Sequence, residues 1–142
     1  MVNRSFRELC VEVKILYPIL WKVAQAIKQF EGWNPTNKSW RNKNPGNLRS
    51  SAFAETKDED GYAVFATYEQ GMYALCQDLL LKSGGKTSTK LTSTSTLLEL
   101  MEVYAPADDN NDPRDYAIFI VDHLGLVGFD LDTQIWRLLE DA

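Results

Sequence analysis

The run Leu16-Tyr17-Pro18-Ile19-Leu20-Trp21-Lys22-Val23-Ala24-Gln25-Ala26-Ile27-Lys28-Gln29-Phe30-Glu31-Gly32 decides how the chain is read. Leu16, Leu20, Val23, Ile27 and Phe30 recur at alternating helical spacings, the stripe of an amphipathic helix with one face in a core. Pro18 suits a first turn, where its missing N–H costs nothing, and Gly32 supplies the stop. The pattern therefore predicts a helix whose final turn carries Glu31. Upstream, Ser5 and Glu8 form a capping-box pattern, so the first thirty or so residues are one broken helix or two in series.

Downstream, residues 33–49 are dense in Asn, Pro, Lys and Gly and predict a structured loop with neither helix nor strand. Two short β-like runs, 53–56 and 62–65, flank the turn-forming residues 58–61 and predict a small hairpin. Thr67 with Gln70 opens a helix bearing Met72, Leu75, Cys76, Leu79 and Leu80 on its core face and ending near Gly84. A Ser/Thr/Lys-rich surface connection over 86–95 leads to a helix from Leu97 to about Tyr104, stopped by Pro106. Asp112, Pro113 and Asp115 open another helix that Gly125 closes, and a short helix over 133–140 completes the chain. The expected class is α+β, predominantly α, with one small hairpin and no internal repeat, in a single domain spanning 1–142.

With 142 residues, 44% of them hydrophobic, the chain is long enough to bury a core. Its 11% aromatic and 25% charged content argues against disorder. A net charge of −5 and pI near 4.9 speak against nucleic acid as a partner, which would call for clustered Lys and Arg. Apolar stretches such as 15–20 fall far short of the roughly 20 residues of a bilayer span, so no transmembrane segment is expected. Residues 1–7 are not followed by the apolar region of a signal peptide, so the chain is expected to be made in the cytoplasm without one. Cys10, Cys76 and the single His123 are too few for a zinc site or a Ser-His-Asp device. The cysteines read as small buried hydrophobes, with a disulfide left open, and His123 as a last-turn complement to its helix dipole. Residues 108–112 start like a calcium loop, but Pro113 and Phe119 stand where that loop needs glycine and glutamate. Neither a metal nor a cofactor is expected.

The local chemistry centres on Phe30-Glu31-Gly32-Trp33. A carboxyl at a helix C-terminus among aromatics meets both desolvation and the negative end of the helix dipole, and both favour its protonated form. Glycoside cleavage needs such an acid to protonate the leaving oxygen. The plainer reading is an ordinary exposed glutamate at a helix end.

Beyond it lies Arg41-Asn42-Lys43-Asn44-Pro45-Gly46-Asn47-Leu48-Arg49. Here the chain resembles phage-associated and bacterial lysozyme-like proteins, in which a helix ending in Glu-Gly precedes an Arg-Asn-x-Asn-Pro-Gly-Asn-Leu-Arg motif. The likeness extends through Phe65-Ala66-Thr67-Tyr68, Gly71, Ala74 and Leu75, then Tyr104-Ala105-Pro106, Asp109-Asn110-Asn111 and Pro113, covering about Val23 to Gly125. It implies a lysozyme-like fold acting on peptidoglycan glycan strands at the cell envelope, reached with a virion or secretion-system partner. In the related soluble lytic transglycosylases a helix-ending glutamate protonates the glycosidic oxygen and a later tyrosine contacts it, which implies Glu31 and, more loosely, Tyr104. For Tyr104, core packing is an equal alternative.

Asn44 and Asn47 are candidates for sugar N-acetyl or peptide groups, their alternative being to hold the loop. Trp33, Trp40, Tyr62 and Tyr68 are candidates for stacking on sugar faces, their alternative being core. Glu55, Asp58, Glu59 and Asp60 sit in the hairpin turn, and none stands out as a second catalytic carboxylate. One carboxyl favours lytic transglycosylation of the bond between N-acetylmuramic acid and N-acetylglucosamine, with the muramyl 6-hydroxyl as internal nucleophile. A hydrolytic muramidase and a non-catalytic phage structural or glycan-binding protein remain the alternatives, with a chitin-type substrate as a third.

Overall fold

The computed structural model describes residues 4–87, 89–106 and 111–140. In chain order these form α1 (Phe6–Leu16), α2 (Pro18–Phe30), α3 (Lys38–Arg41), β1 (Thr56–Lys57), β2 (Ala63–Val64), α4 (Tyr68–Ser83), α5 (Leu97–Tyr104), α6 (Pro113–Leu124) and a closing 3-10 helix, Ile135–Leu139. The described residues are thus mostly helical, with one small antiparallel sheet.

The Ser5–Glu8 capping box forms in both directions and starts α1. Tyr17 ends α1 and begins α2, and Pro18 occupies the first turn, so the stretch is two helices in series. Leu20, Val23, Ala24, Ala26 and Ile27 are fully buried, which makes α2 the centre of the core. Phe30, the last residue of the predicted stripe, is instead 39% exposed and stacks on Tyr116. Around α2 pack α1, α4, α6 and the 3-10 helix, with Met72, Leu75, Cys76 and Leu79 of α4 and Ile120 of α6 completing the interior. Cys10 and Cys76 are both free and buried, and burial raises both thiols, that of Cys10 to about 11.

Several local expectations shift. The 33–49 stretch contains one helical turn, α3, where four residues, none of them proline or glycine, follow Asn37. The strands are shorter than the two β-like runs, pairing Thr56 with Val64 and Lys57 with Ala63. Phe53 packs against the Phe6 and Tyr73 rings, so its apolar character marks burial and not a strand. Gln70 accepts from the Ala66 N–H, leaving the Thr67 cap one-directional. Within the 86–95 connection Leu91 is buried, and the Ser93 and Ser95 carbonyls accept from Trp136 and Ile135, tying the stretch to the last helix.

One close approach positions the loop that follows α3. Gly71 in α4 lies so near the Lys43 carbonyl that a β-carbon there would sit 1.9 Å from the oxygen. Bare backbone at this point lets the loop lie directly on α4. Gly71→Ala should therefore cost about 1–3 kcal/mol through overpacking, read as a lower midpoint in urea unfolding. A midpoint equal to wild type would show that the loop is free to move away.

Candidate functional site

The loop and the hairpin build one wall of a cleft. Asn44 is fully buried and spends its whole amide on backbone: Nδ2 donates to the Leu48 and Ala63 carbonyls at 2.9 and 3.0 Å, and Oδ1 accepts from the Leu48 N–H at 2.9 Å. Loop-holding is thus its role, which corrects the expectation that it meets sugar. The Asn47 N–H closes the turn on the Asn44 carbonyl, and Asn47 itself takes a left-handed conformation, φ +50°. Asp58 secures the far turn, accepting from Asn42 Nδ2 and from the backbone of Asp60 and Tyr62. These bonds, led by that from Asn42, hold its carboxyl below the usual range.

The cleft, about 440 Å³, is bounded by Glu31 at the end of α2, by Gly46, Asn47, Leu48, Arg49 and Ser50, by Tyr62, by Asp78 and Lys82 of α4, and by the end of α5 with Asn111. Glu31 is half-buried where α2 terminates. The Tyr116 hydroxyl donates to Glu31 Oε2 at 2.6 Å, and Asn47 borders the same cleft. Desolvation raises the carboxyl above its usual value, and the polar side chains of Tyr116 and Asn47 oppose it without cancelling it. Burial also pushes the Tyr116 and Tyr104 hydroxyls well up, so both remain donors.

Tyr104 lines the cleft, but its hydroxyl donates to the Gly46 carbonyl at 2.5 Å and not to Glu31. The expected tyrosine–glutamate contact is made by Tyr116 of α6, and Tyr104 clamps the loop. A β-carbon on Gly46 would meet that hydroxyl at 2.5 Å and Leu75 at 2.7 Å, so glycine is what admits the clamp.

The aromatic candidates divide. Tyr62 lines the cleft, but its ring carries the cations of Lys38 and Arg49, each 4.5 Å from the centroid, and its hydroxyl accepts from Arg49 at 3.2 Å. Trp33 and Tyr68 form a pair at 5.2 Å with Lys28 over both rings, and the Lys28 ammonium donates to the Tyr68 hydroxyl. Trp40, on α3, is 42% exposed. None of Trp33, Tyr68 and Trp40 is among the described residues that border the cleft, so the structure does not bring these three candidates for sugar stacking into it.

Three groups at the site, the buried Tyr116 behind Glu31 and two in the cleft wall, were missed by sequence reasoning. Tyr116 stands in the inward stripe Tyr116, Ala117, Ile120 and Leu124, where a tyrosine reads as core. Asp78 and Lys82 were legible as an i,i+4 pair, ordinarily a solvated one. Here they form a 2.7 Å ion pair in the cleft wall, with the ammonium over the Tyr104 ring.

Among the described residues no cluster of three or more His, Cys, Asp and Glu side chains could hold a metal, and no helix is long and apolar enough to cross a membrane. Asp108, Asp109 and Asn110, of the rejected calcium loop and the downstream motif, lie outside the described residues. Compared with known proteins, the chain matches no family model, no curated protein and no solved structure.

A raised carboxyl fixes a sign for stability. The native state holds the Glu31 proton more tightly than the unfolded chain does, whose value is near 4.5. This contribution is fully present below that value and is lost as pH rises through the folded-state pKa. Glu31→Gln should thus melt higher than wild type at neutral pH, with the gap closing as pH falls below about 4.5. Thermal unfolding across that range checks this, and a pH-independent gap would contradict it.

Proposed function

We propose that this cleft cleaves the β-1,4 bond between N-acetylmuramic acid and N-acetylglucosamine in peptidoglycan, as a lytic transglycosylase within a lysozyme-like fold. The observation that carries the reading is the Glu31 carboxyl. It ends a buried helix, borders the cleft, is raised by desolvation and is held in orientation by Tyr116. The resemblance of Glu31-Gly32 and residues 41–49 to lysozyme-like proteins supports the same reading, because the loop bearing that motif borders the same cleft as Glu31.

In this mechanism Glu31 gives its proton to the glycosidic oxygen as the C1–O bond breaks, and the sugar passes through an oxocarbenium-like state. The resulting carboxylate then takes the proton of the muramyl 6-hydroxyl while that oxygen bonds to C1. A 1,6-anhydro ring forms and Glu31 returns to its starting state. The nucleophile is already tethered, so no second carboxylate need position water. Among the described residues Asp78 is the other carboxylate bordering the cleft, and its 2.7 Å pairing with Lys82 makes it a poor nucleophile or base.

The cell envelope is the site of action on this reading, and the net charge of −5 favours delivery by a virion or secretion-system partner over free approach to an anionic wall. The presence of Asp78 keeps a hydrolytic muramidase as the second reading. Mass spectrometry of muropeptides released from purified peptidoglycan separates the two. Wild type should yield anhydro-muropeptides, and Glu31→Gln should release them at least about 100-fold more slowly. Reducing-end products would favour hydrolysis. No release by wild type would overturn the enzyme reading and leave a glycan-binding protein.

A further inference from the structure

Asn37 stands at the N-cap of α3 and does not cap it. An asparagine in that place ordinarily accepts from an N–H two or three residues on, which stabilises its own helix. Here the side chain turns the other way, and Nδ2 donates to the Gly32 carbonyl at 2.7 Å, just past the end of α2. The amide fills the space that a side chain at residue 32 would take: a β-carbon on Gly32, where φ is +74°, would lie 2.2 Å from Nδ2. Gly32 is therefore more than the stop that ends α2, because its bare α-carbon is the socket that receives Asn37.

Two residues on, Ser39 makes a second attachment. It is 3% exposed, and its Oγ donates to the Glu31 carbonyl at 3.4 Å. The last carbonyls of a helix have no donor within it, and those of Glu31 and Gly32 are taken in turn by Ser39 and Asn37. The Gly32 carbonyl also accepts from the Asn34 N–H at 2.9 Å, a bond that closes the local turn, whereas the bond from Asn37 ties it to α3. The Ser39 backbone reaches in the other direction, its carbonyl accepting from the Asn44 N–H at 2.8 Å. Asn44 is the residue whose amide stitches the motif loop to the hairpin. One helical turn thus joins the backbone of Glu31 to the loop that walls the cleft.

We infer that Asn37 and Ser39 are positioning residues that make α3 a brace, holding the backbone of Glu31 at a fixed separation from the 44–49 loop. The inference deepens the proposed mechanism and rests on that reading only for its purpose: an acid that gives up a proton and then takes one back must keep its place to within about 0.5 Å. The Tyr116 hydroxyl holds the carboxyl itself at 2.6 Å, a bond that keeps its geometry only while the backbone beneath the side chain stays put. Helix ends fray, and without the brace the end of α2 would let the carboxyl swing toward water.

Asn37→Ser separates the brace from ordinary capping. Serine is as good an N-cap for α3, so the melting temperature should hold, but its hydroxyl stops one bond short of the place where Nδ2 meets Gly32. In the full-length variant the Glu31 carboxyl, followed by carboxyl-13C NMR, should titrate lower than in wild type, toward 4.5, because a carboxyl released from the helix end regains water. The charged and titratable groups around it, Tyr116 of α6, Tyr104 of α5, Asp78 and Lys82 of α4, and Arg49 and Tyr62 of the loop and hairpin, are untouched by the substitution. Release of anhydro-muropeptides at saturating peptidoglycan should fall at least about 10-fold, with the half-saturating concentration within about twofold of wild type. A folded Asn37→Ser protein whose Glu31 midpoint holds or rises would overturn the brace, as would one that keeps the wild-type maximal rate. Where wild type releases no muropeptides the midpoint alone decides, and a fall would keep the brace while the enzyme reading is lost. Ser39→Ala deletes only a hydroxyl and should move the midpoint the same way by less, which decides the matter if Asn37→Ser does not fold. In wild type, 15N relaxation should find the Asn37 side-chain amide as ordered as the backbone around it, and a mobile amide would overturn the inference without any variant.

Discussion

The 2.6 Å bond between the Tyr116 hydroxyl and the Glu31 carboxylate joins the C-terminal end of α2 to the first turn of α6, across 85 residues of chain. It can form only if α2 runs buried through the middle of the molecule and α6 packs along it, so the bond and the core depend on each other. Desolvation penalises the ionised carboxyl, and the hydroxyl and the Asn47 amide offset part of that penalty. The balance between them is what gives the cleft a carboxyl able to hold or release a proton.

Around this contact the chain is arranged as supports. The bare backbone of Gly71 lets the loop settle on α4, Asn44 stitches it to the hairpin, and Tyr104 clamps it at Gly46. The outcome is that Asn47, held in a left-handed conformation, borders the same cleft as Glu31. Two asparagines of one short motif therefore do different work, one consumed by backbone and the other lining the cleft.

The aromatic residues near the motif follow a different logic. Trp33 with Tyr68, and Tyr62, have rings covered by Lys28, Lys38 and Arg49, contacts that use the π faces a sugar would need. The cleft is thus bordered mainly by polar and charged groups, and on the proposed reading its selectivity for a glycan would come from hydrogen bonding more than from stacking.

The sequence by itself determined the longer helices and their ends, though not the single turn α3, because capping boxes, first-turn prolines and apolar periodicity act over a few residues. The Ser5–Glu8 box, Pro18, the Leu97–Tyr104 helix and the Asp112-Pro113 start all appear where local chemistry puts them. It also marked Glu31 at the end of α2, since a carboxyl at an apolar helix terminus is a local signal. Which tyrosine meets that carboxyl was decided only by tertiary structure. Tyr104 and Tyr116 both lie on core-facing stripes, and their hydroxyls are separated by the packing of α5 and α6 and not by anything in their flanking residues. The same holds for Asn44 and Asn47, alike in sequence, and for the Asp78–Lys82 pair. Whether a polar side chain faces backbone, solvent or a cleft depends on elements far away in the chain, and local rules carry no information about that distance.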